Sequence, residues 1–264
     1  MISALVPKSF KRKIRPLYYL VFFRNKLLAS SVLEIGCFSG FQVAYRKGSA
    51  DESVIEHSFE HDIYFSRVSE YKPADDHVIM DIGAHIGTFS LLAALKVPHG
   101  RVYAIEACKE SYNLLRINNR LNNVNNIDVT HLALADRSGT CTLYHDLDNR
   151  GHTICRPITG FGEIVQSDTL TNYMETKGIS KCHFIKLNCE GAEFPILLST
   201  QANVLQRFGI ILVLYHCDIA SNYTEQKLVS HLHSSGFDTA IRYRTSERGW
   251  IIATNSTLKG AKGD

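Results

Sequence analysis

Hydrophobic and polar positions change their spacing several times along the chain. From residue 77 onward, short apolar runs alternate with stretches in which apolar residues recur every three or four positions. The runs predict buried strands, and the stretches predict amphipathic helices. Strands that alternate with helices are typical of a mostly parallel sheet with helices on both faces. We therefore predict an α/β domain over residues 77–264.

The predicted elements of this domain follow in regular order. Strands are predicted at 77–83, 100–107, 127–136, 183–191 and 209–216, with a final antiparallel pair at 239–245 and 249–255. Helices are predicted at 87–97, 110–123, 169–178, 192–208 and 224–236, the second with Leu114, Leu115 and Ile117 on its apolar side. An extra strand at 139–147 and a polar loop at 148–163 interrupt this order. Because long loops often carry function, we predict that the insertion 141–168 serves as a lid or as a wall of the acceptor site.

The first 76 residues have a different character and form a predicted extension with a basic helix and a β-hairpin. No acid precedes Glu34, whereas seven bases lie between Lys8 and Lys26 and flank the apolar patch LYYLVFF. That patch is shorter than the roughly 20 residues that span a bilayer. We favour a basic amphipathic helix packed on the protein itself, and the alternative is weak contact of residues 8–26 with a membrane surface or an anionic partner.

Composition narrows the class of protein. The chain has 264 residues, of which 45% are hydrophobic and 21% charged, as in ordinary soluble globular proteins. Seven cysteines are scattered without a C-x-x-C pair, which together with the lack of a secretory cleavage site indicates reduced thiols and a cytoplasmic location. The histidines show no zinc-binding spacing, so we predict no metal. Basic residues concentrate at the start of the chain, which argues against nucleic acid as a substrate.

Two glycine turns compete for the role of a cofactor turn. Residues 32–41 read VLEIGCFSGF, and residues 78–89 read VIMDIGAHIGTF. In both, an apolar run ends in an acid and is followed by two glycines four positions apart. A nucleotide-binding α/β domain needs one such turn, after its first strand.

The surroundings of the two turns separate them. In a nucleotide-binding sheet, an acid at the end of the next strand accepts hydrogen bonds from a ribose. Glu106 lies nineteen residues after Gly87 and ends the apolar run VYAI. The residue nineteen positions after Gly40 is Phe59, which falls inside a predicted helix. We therefore predict that the second turn holds the cofactor and that the first is the β-hairpin of the extension, since FQVAYR after Gly40 alternates like a strand.

The residues of the second turn also favour one cofactor over another. A dinucleotide needs a middle glycine that lets the backbone approach the pyrophosphate, and His85 occupies that position. S-adenosylmethionine has no pyrophosphate, and Asp81 ahead of the turn suits its ammonium group. The turn thus favours S-adenosylmethionine over NAD, which leaves an NAD-dependent oxidoreductase as a weaker alternative.

Five segments occur in an order that resembles the FkbM-type family of S-adenosylmethionine-dependent methyltransferases. They are VIMDIGAHIGTFSL, VYAIEA, LALADRSGT, DTLTNYM and IKLNCEGAEFPIL, and the resemblance covers roughly residues 41–216. It implies the class I methyltransferase fold, a Rossmann-like sheet of seven strands with the last pair reversed. It also implies methylation of a hydroxyl group on a sugar-containing or other specialised metabolite, so the expected partner is a small-molecule or glycan acceptor.

The resemblance places the cofactor on particular residues of this chain. Asp81, Gly83, Ala84 and Gly87 would surround the methionyl end. The remaining positions would bind the ribose, the adenine and the region of the methyl group, and they are Glu106, Ala107, Ala133, Leu134 and Asn188. Three positions depart from the family pattern, which has Asp at Asn188, often Glu at Leu214 and commonly Asn at His85. The loss of two carboxylates argues further against a divalent metal.

Four residues at the strand ends are candidates for catalysis. His216 is our first choice as the base that removes the hydroxyl proton, because an unperturbed pKa of about 6.5 suits that task; a structural histidine is the alternative. Glu190 and Glu193 are further candidates, although Glu193 also suits a helix N-terminus. Lys186 is expected to orient the acceptor or to pair with Glu190. A non-catalytic module that binds S-adenosylmethionine and an N-methyltransferase remain alternatives.

Overall fold

The computed structural model describes residues 32–146 and 151–256. The strands are β1 Leu33–Phe38, β2 Phe41–Arg46, β3 Val78–Ile82, β4 Arg101–Glu106, β5 Ile127–His131, β6 Ala133–Ala135, β7 Gly139–Tyr144, β8 Gly162–Thr169, β9 Cys182–Leu187, β10 Phe208–His216, β11 Phe237–Arg242 and β12 Arg248–Asn255. The helices are α1 Asp51–Ile55, which continues as a π-helical turn over Glu56–Glu60, α2 Thr88–Lys96, α3 Lys109–Leu121, α4 Leu170–Thr176, α5 Glu193–Ser199, α6 Ala202–Leu205 and α7 Glu225–Ser234.

Seven strands form the central sheet in the order β5-β4-β3-β9-β10-β12-β11. The pairs from β5 to β10 are parallel, whereas β12 is antiparallel to both β10 and β11. The last strand therefore enters the sheet between β10 and β11 and is the one that runs in the opposite direction. This arrangement confirms the predicted α/β class and the class I methyltransferase sheet.

Both faces of the sheet are buried, because successive side chains of a strand point to opposite faces. Ile79 and Met80 of β3 are both fully buried, yet they belong to different core clusters. Met80 packs with residues of α4, α5 and α7, and Ile79 packs with residues of α2 and with residues 64–71 of the extension. The continuous apolar runs that predicted these strands are thus explained by two covered faces.

The insertion builds a second, three-stranded sheet in the order β6-β8-β7. The strand predicted at 127–136 is divided at Leu132, since β5 joins the central sheet and β6 pairs with β8. The prediction of a polar loop over 148–163 was wrong at its end, because β8 begins at Gly162 and pairs antiparallel with β7. The helix predicted at 192–208 is likewise two helices, which are separated at Thr200 and Gln201.

The extension is a hairpin followed by a helix, and both pack on the methyltransferase sheet. Strands β1 and β2 pair antiparallel and are joined by Ser39 and Gly40, whose φ angles are 48° and 85°. A two-residue turn with positive φ at both positions matches the right-handed twist of a hairpin. The prediction of a strand-to-strand turn at Gly40 is confirmed.

Buried polar contacts join β2 to the helices of the sheet. The Asn118 side chain of α3 accepts a hydrogen bond from the Ala44 N–H (2.7 Å) and donates to the carbonyls of Ala44 (3.1 Å) and Ile86 (2.8 Å). On the same helix Leu114 and Leu115 are buried as predicted, whereas Ile117 is 41% exposed and does not belong to the apolar side. The predicted basic segment 8–26 lies outside the described residues. Within those residues, no helix combines the length and the hydropathy needed to cross a bilayer.

Candidate active site

A pocket opens at the carboxyl ends of β3, β4 and β9, where ligands bind in sheets of this kind. Its walls come from the central sheet, from the extension and from the insertion. The residues that line it are Val54, Tyr64, Ile82, Gly83, Ala84, His85, Thr88, Phe89, Ile105, Glu106, Ala107, Leu132, Ala133, Leu134, Leu143, His152, Ile154, Lys186, Asn188, Cys189, Glu190, Ala192 and Ile196.

The turn after β3 depends on two glycines with positive φ. Gly83 has a φ of 74°, and a Cβ at this position would overlap the carbonyl oxygen of Asn188. Gly87 has a φ of 88°, precedes the first residue of α2 and packs against Leu115, which a Cβ would approach to 2.9 Å. The first glycine therefore allows the turn to lie against the loop after β9, and the second allows the helix to start close to α3.

Glu106 ends β4 and is 8% exposed. Its Oε2 accepts a hydrogen bond from the His85 N–H (2.7 Å), and its Oε1 accepts one from the Cys108 N–H (2.8 Å). Burial raises the pKa of Glu106, although these two hydrogen bonds oppose the rise. Each carboxylate oxygen retains a lone pair, so the side chain remains able to accept hydrogen bonds from a ligand.

Asp81 lies one layer behind the pocket wall. It is fully buried, its Oδ2 accepts a hydrogen bond from Ser90 (2.6 Å), and its Oδ1 lies 2.8 Å from the Lys186 Nζ. The same Nζ donates to the Gly83 carbonyl at 2.8 Å. Burial opposes the charge of Lys186, but the attraction of Asp81 prevails and raises the pKa of Lys186 to about 12.

This pair corrects two predictions. Asp81 was expected to meet the ammonium group of the cofactor, but its two oxygens bind Ser90 and Lys186 and it does not line the pocket. Lys186 was expected to orient an acceptor or to pair with Glu190, and its ion pair is instead with Asp81. Together the two side chains fix the carbonyl of Gly83, which supports the shape of the turn.

A buried row of three side chains runs from α5 to the pocket. Glu193 Oε1 accepts hydrogen bonds from the backbone N–H (2.8 Å) and from the Nδ1–H (2.9 Å) of His216. The Nε2 of His216 lies 3.5 Å from the Oε1 of Glu190. Glu193 and His216 are fully buried, whereas Glu190 lines the pocket.

The electrostatics of this row favour an imidazolium at His216. Burial opposes protonation of His216, but Glu193 and Glu190 outweigh it and raise the pKa of the imidazole above its usual 6.5. Burial raises the pKa of Glu190, and the nearby His216 and Arg248 offset part of this rise. His216 was our first choice as the base, yet it reaches the pocket through Glu190. The structure therefore favours Glu190 as the side chain that meets an acceptor, which corrects that choice.

The backbone at Glu190 is strained. Its φ is 49°, a left-handed value that is uncommon outside glycine, and Gly191 follows with a φ of 100°. The hydroxyl of Thr153, in the insertion, donates to the Glu190 carbonyl at 2.6 Å. Strained residues of this kind cluster at functional sites, where the surrounding structure holds them in place.

The predicted site residues fall into two groups. Those that line the pocket are Gly83, Ala84, Glu106, Ala107, Ala133, Leu134, Lys186, Asn188 and Glu190. Those that lie behind its wall are Asp81, Gly87, Glu193 and His216. Leu214, which departs from the family pattern, lies away from the pocket and packs on the core cluster of α2.

Sequence reasoning missed the side chains that reach the pocket from outside the central sheet. Val54 and Tyr64 come from the extension, and His152 and Ile154 come from the insertion. Val54 lies in the predicted helix that also contains Phe59, whereas the other three belong to no motif or periodic stretch. Their proximity depends on the path of long connections, and the sequence carries no local signal for that path.

Comparisons with known proteins agree with this geometry. A model of the FkbM methyltransferase domain matches residues 81–238. The protein named Methyltransferase 1 from Beauveria bassiana (strain ARSEF 2860) is 25% identical in an alignment 212 residues long, which covers 71% of this chain and 83% of that protein.

Solved structures similar to this chain include two methyltransferase-fold proteins from prokaryotes. Precorrin-6y C5,15-methyltransferase from Geobacter metallireducens GS-15 has a TM-score of 0.45 and 16% identity, and the match covers 73% of this chain and 88% of that one. Aeropyrum pernix fibrillarin in complex with natively bound S-adenosyl-L-methionine has a TM-score of 0.44 and 14% identity, with coverage of 85% and 84%.

The family match extends over more than half of the chain and contains the glycine turn, Glu106 and the loop after β9. It confirms the resemblance inferred from the five sequence segments, and with it S-adenosylmethionine as the cofactor. The chain belongs to the FkbM family of S-adenosylmethionine-dependent methyltransferases.

Proposed function

We propose that the protein transfers the methyl group of S-adenosylmethionine to a hydroxyl group of a sugar-containing or other specialised metabolite. The observation that carries this proposal is the carboxylate of Glu190 in the pocket wall, with His216 and Glu193 buried behind it. A hydroxyl group is a poor nucleophile until its proton leaves, so an O-methyltransferase benefits from a base at this place.

The residues around the pocket fit the parts of the cofactor. Glu106 offers acceptors for ribose hydroxyls, and Ala133 and Leu134 offer a small apolar surface for the adenine. The Asn188 Oδ1 is buried without a hydrogen-bond partner among the described residues, and it suits the ammonium group of the methionyl end. Gly83 leaves room next to Asn188 because it lacks a Cβ.

When bound, the cofactor would supply a methyl group on a sulfonium sulfur, and transfer of the methyl group would release that sulfur as the neutral thioether of S-adenosylhomocysteine, a good leaving group. The protein then has two tasks, which are to orient the acceptor and to remove its proton. Correct orientation alone is worth up to roughly 7–11 kcal/mol of the barrier. Glu190 accepts the hydroxyl proton, and a placed base of this kind contributes about 10²- to 10⁴-fold.

His216 and Glu193 keep Glu190 ready for this task. An imidazolium at His216 stabilises the ionised form of Glu190 at 3.5 Å, and Glu193 fixes the orientation of the ring through Nδ1. After proton transfer to Glu190, the negative charge that remains in the row is that of Glu193, which three donors bind. The arrangement thus tolerates both protonation states of Glu190 without movement of His216.

A transfer assay tests the proposal. Purified protein is incubated with methyl-labelled S-adenosylmethionine and with a panel of sugar-containing alcohols, each matched by the amine that replaces the reacting hydroxyl. We expect label on one or more alcohols and none on the matched amines. Label on the amines alone would indicate an N-methyltransferase. Tight binding of S-adenosylhomocysteine with no transfer across the panel would support the non-catalytic module and contradict the proposal.

A further inference from the structure

His152 is the polar side chain that the insertion brings to the cofactor pocket. It lines the pocket next to Ala107 and Leu143, and its Nε2 is buried without a hydrogen-bond partner among the described residues. Nothing in the proposed transfer of a methyl group uses this nitrogen. A buried donor or acceptor that no protein group satisfies is destabilising, and it calls for an explanation.

The hydrogen bonds of the ring define its tautomer. The Asp146 N–H donates to the Nδ1 of His152 at 2.9 Å, so Nδ1 carries a lone pair and no proton. Burial, together with the nearby His145, lowers the pKa of His152 to about 3, which keeps the ring neutral under ordinary conditions. A neutral imidazole whose Nδ1 accepts a hydrogen bond has its proton on Nε2. The unpartnered atom is therefore an N–H donor.

The same reasoning argues against a metal ion at this place. Ligand atoms of Cys108, His145 and His152 lie within 4.8 Å of one another, a spacing that a metal ion could bridge. However, the Nδ1 lone pair of His152 is used by Asp146, and Nε2 carries the proton, so neither nitrogen offers a lone pair. Burial also raises the pKa of Cys108 to about 11, which keeps its thiol protonated.

The neighbours of His152 point to the nucleoside half of a ligand. Cys108 and Ala107 directly follow Glu106, which is the predicted ribose-binding residue at the end of β4. An ionised Glu106 can only accept hydrogen bonds, whereas hydroxyl groups and ring nitrogens of a nucleoside also accept them. A donor close to this end of β4 is the complement that such a ligand needs.

We propose that the Nε2–H of His152 donates a hydrogen bond to the nucleoside half of the bound cofactor, so that the insertion supplies a cofactor-binding residue. This inference rests on the proposed function, because it takes S-adenosylmethionine to bind in this pocket. The contact would make the insertion part of the cofactor site, in addition to the predicted role of the insertion as a wall of the acceptor site.

Calorimetric titration with two ligands tests the inference. S-adenosylhomocysteine is the product form of the cofactor and has both the nucleoside and the amino acid end. Methylthioadenosine has the nucleoside but lacks the amino acid end. For His152→Ala we expect both ligands to bind roughly tenfold more weakly, since one hydrogen bond is lost. His99→Ala is the control, because His99 is an exposed histidine just before the start of β4, at the end of the strand away from the pocket, and we expect it to bind both ligands like the wild type.

Three outcomes overturn the inference, and they differ in what they say about the proposed function. Unchanged binding of both ligands by a folded His152→Ala protein would remove His152 from the cofactor site and leave the methyltransferase intact. A loss for S-adenosylhomocysteine alone would move the contact to the methionyl half. No binding of either ligand by the wild type would end the proposed function as well. A His152→Asn variant, which restores a shorter N–H donor, is expected to bind more tightly than His152→Ala.

Discussion

The two glycine turns of this protein share a sequence pattern and differ in everything that surrounds them. In the hairpin turn, a Cβ on Gly40 would find nothing within 4 Å, and a Cβ on Gly36 would meet only the ring of Phe38 in the same strand. In the cofactor turn, a Cβ on Gly83 would overlap the backbone of the loop after β9. One glycine pair shapes a local turn, and the other lets two distant segments approach each other.

The acids before the two turns differ in the same way. Glu34 is partly exposed and pairs with Lys47 on the partner strand, where Tyr45 also donates to it. Asp81 is fully buried and pairs with Lys186, which is 105 residues away in sequence. The same local motif therefore occurs in a hairpin and in a cofactor turn. In the cofactor turn its residues also contact segments that are distant in sequence.

The largest effect is expected from Gly83→Ala. The added Cβ must displace the Asn188 carbonyl, and the φ of 74° is unfavourable for alanine. We expect affinity for S-adenosylhomocysteine to fall by about 100-fold or more, in line with the loss of several contacts at once. Calorimetry measures the affinity, and circular dichroism confirms that the variant is folded.

Gly40→Ala is the matched control for this turn. Its φ of 85° is equally unfavourable, but the surrounding space is open. We expect a loss of about 1–2 kcal/mol in the free energy of unfolding and unchanged cofactor affinity. Equal losses of affinity in both variants would break the distinction between the turns.

The largest effect on the rate of transfer, as distinct from cofactor affinity, is expected from Glu190→Gln. It removes the proposed base while the amide keeps the shape of the side chain, so kcat should fall by about 10²- to 10⁴-fold. Affinity for S-adenosylhomocysteine should change little. Activity needs the ionised carboxylate of Glu190. Because burial raises the pKa of Glu190, wild-type activity should be lost on acidification at a higher pH than an ordinary carboxylate would give. A wild-type kcat in Glu190→Gln would show that Glu190 is not the base.

Glu106→Gln tests the acid at the end of β4, the strand that follows the cofactor turn. The carboxylate holds the His85 N–H and is the predicted partner of the ribose. Hydrogen bonds to charged groups contribute about 1.5–3 kcal/mol, so we expect S-adenosylhomocysteine to bind roughly 10- to 100-fold more weakly. Glu34→Gln, in the hairpin, should bind it like the wild type. Calorimetry measures S-adenosylhomocysteine binding by both variants. Equal losses in the two would mean that Glu34 also takes part in cofactor binding, which contradicts the prediction.

The smallest effect is expected from Gly36→Ala. The Phe38 ring that would meet the new Cβ is the far end of a side chain and is able to move. We expect the free energy of unfolding to change by no more than about 0.5 kcal/mol, without a change in cofactor affinity. A selective loss of affinity in the folded variant would show that the hairpin takes part in cofactor binding.

Features that depend on local pattern were predictable from the sequence. Buried strands such as β3 and β9 are apolar on both faces, and the pair Ser39–Gly40 suits a hairpin. The place of Glu106 in the pocket wall follows from its position at the end of a strand. These elements carry their own signal because neighbouring residues determine them.

Features that depend on contacts between distant segments were missed. The strand β8 was missed because many of its residues are polar. It lies in a small sheet whose outer face is exposed, and even Ile164 on that strand is 71% exposed. The identity of the side chain that faces the pocket also depended on packing. His216 ends β10 and Glu190 lies in the loop after β9, and of the two only Glu190 lines the pocket.

The contact between the extension and the cofactor turn has a consequence for how the protein holds together. The Arg46 and Asp51 side chains are fully buried and form an ion pair at 2.8 Å, and His85 Nε2 lies 3.3 Å from Arg46 and 3.4 Å from Asp51. The backbone of His85 in turn holds Glu106. The match to the family model begins at residue 81, but these contacts join residues on both sides of that position. We expect the amides of the hairpin and of the cofactor turn to exchange hydrogen together, as one cooperative unit that includes residues on both sides of residue 81.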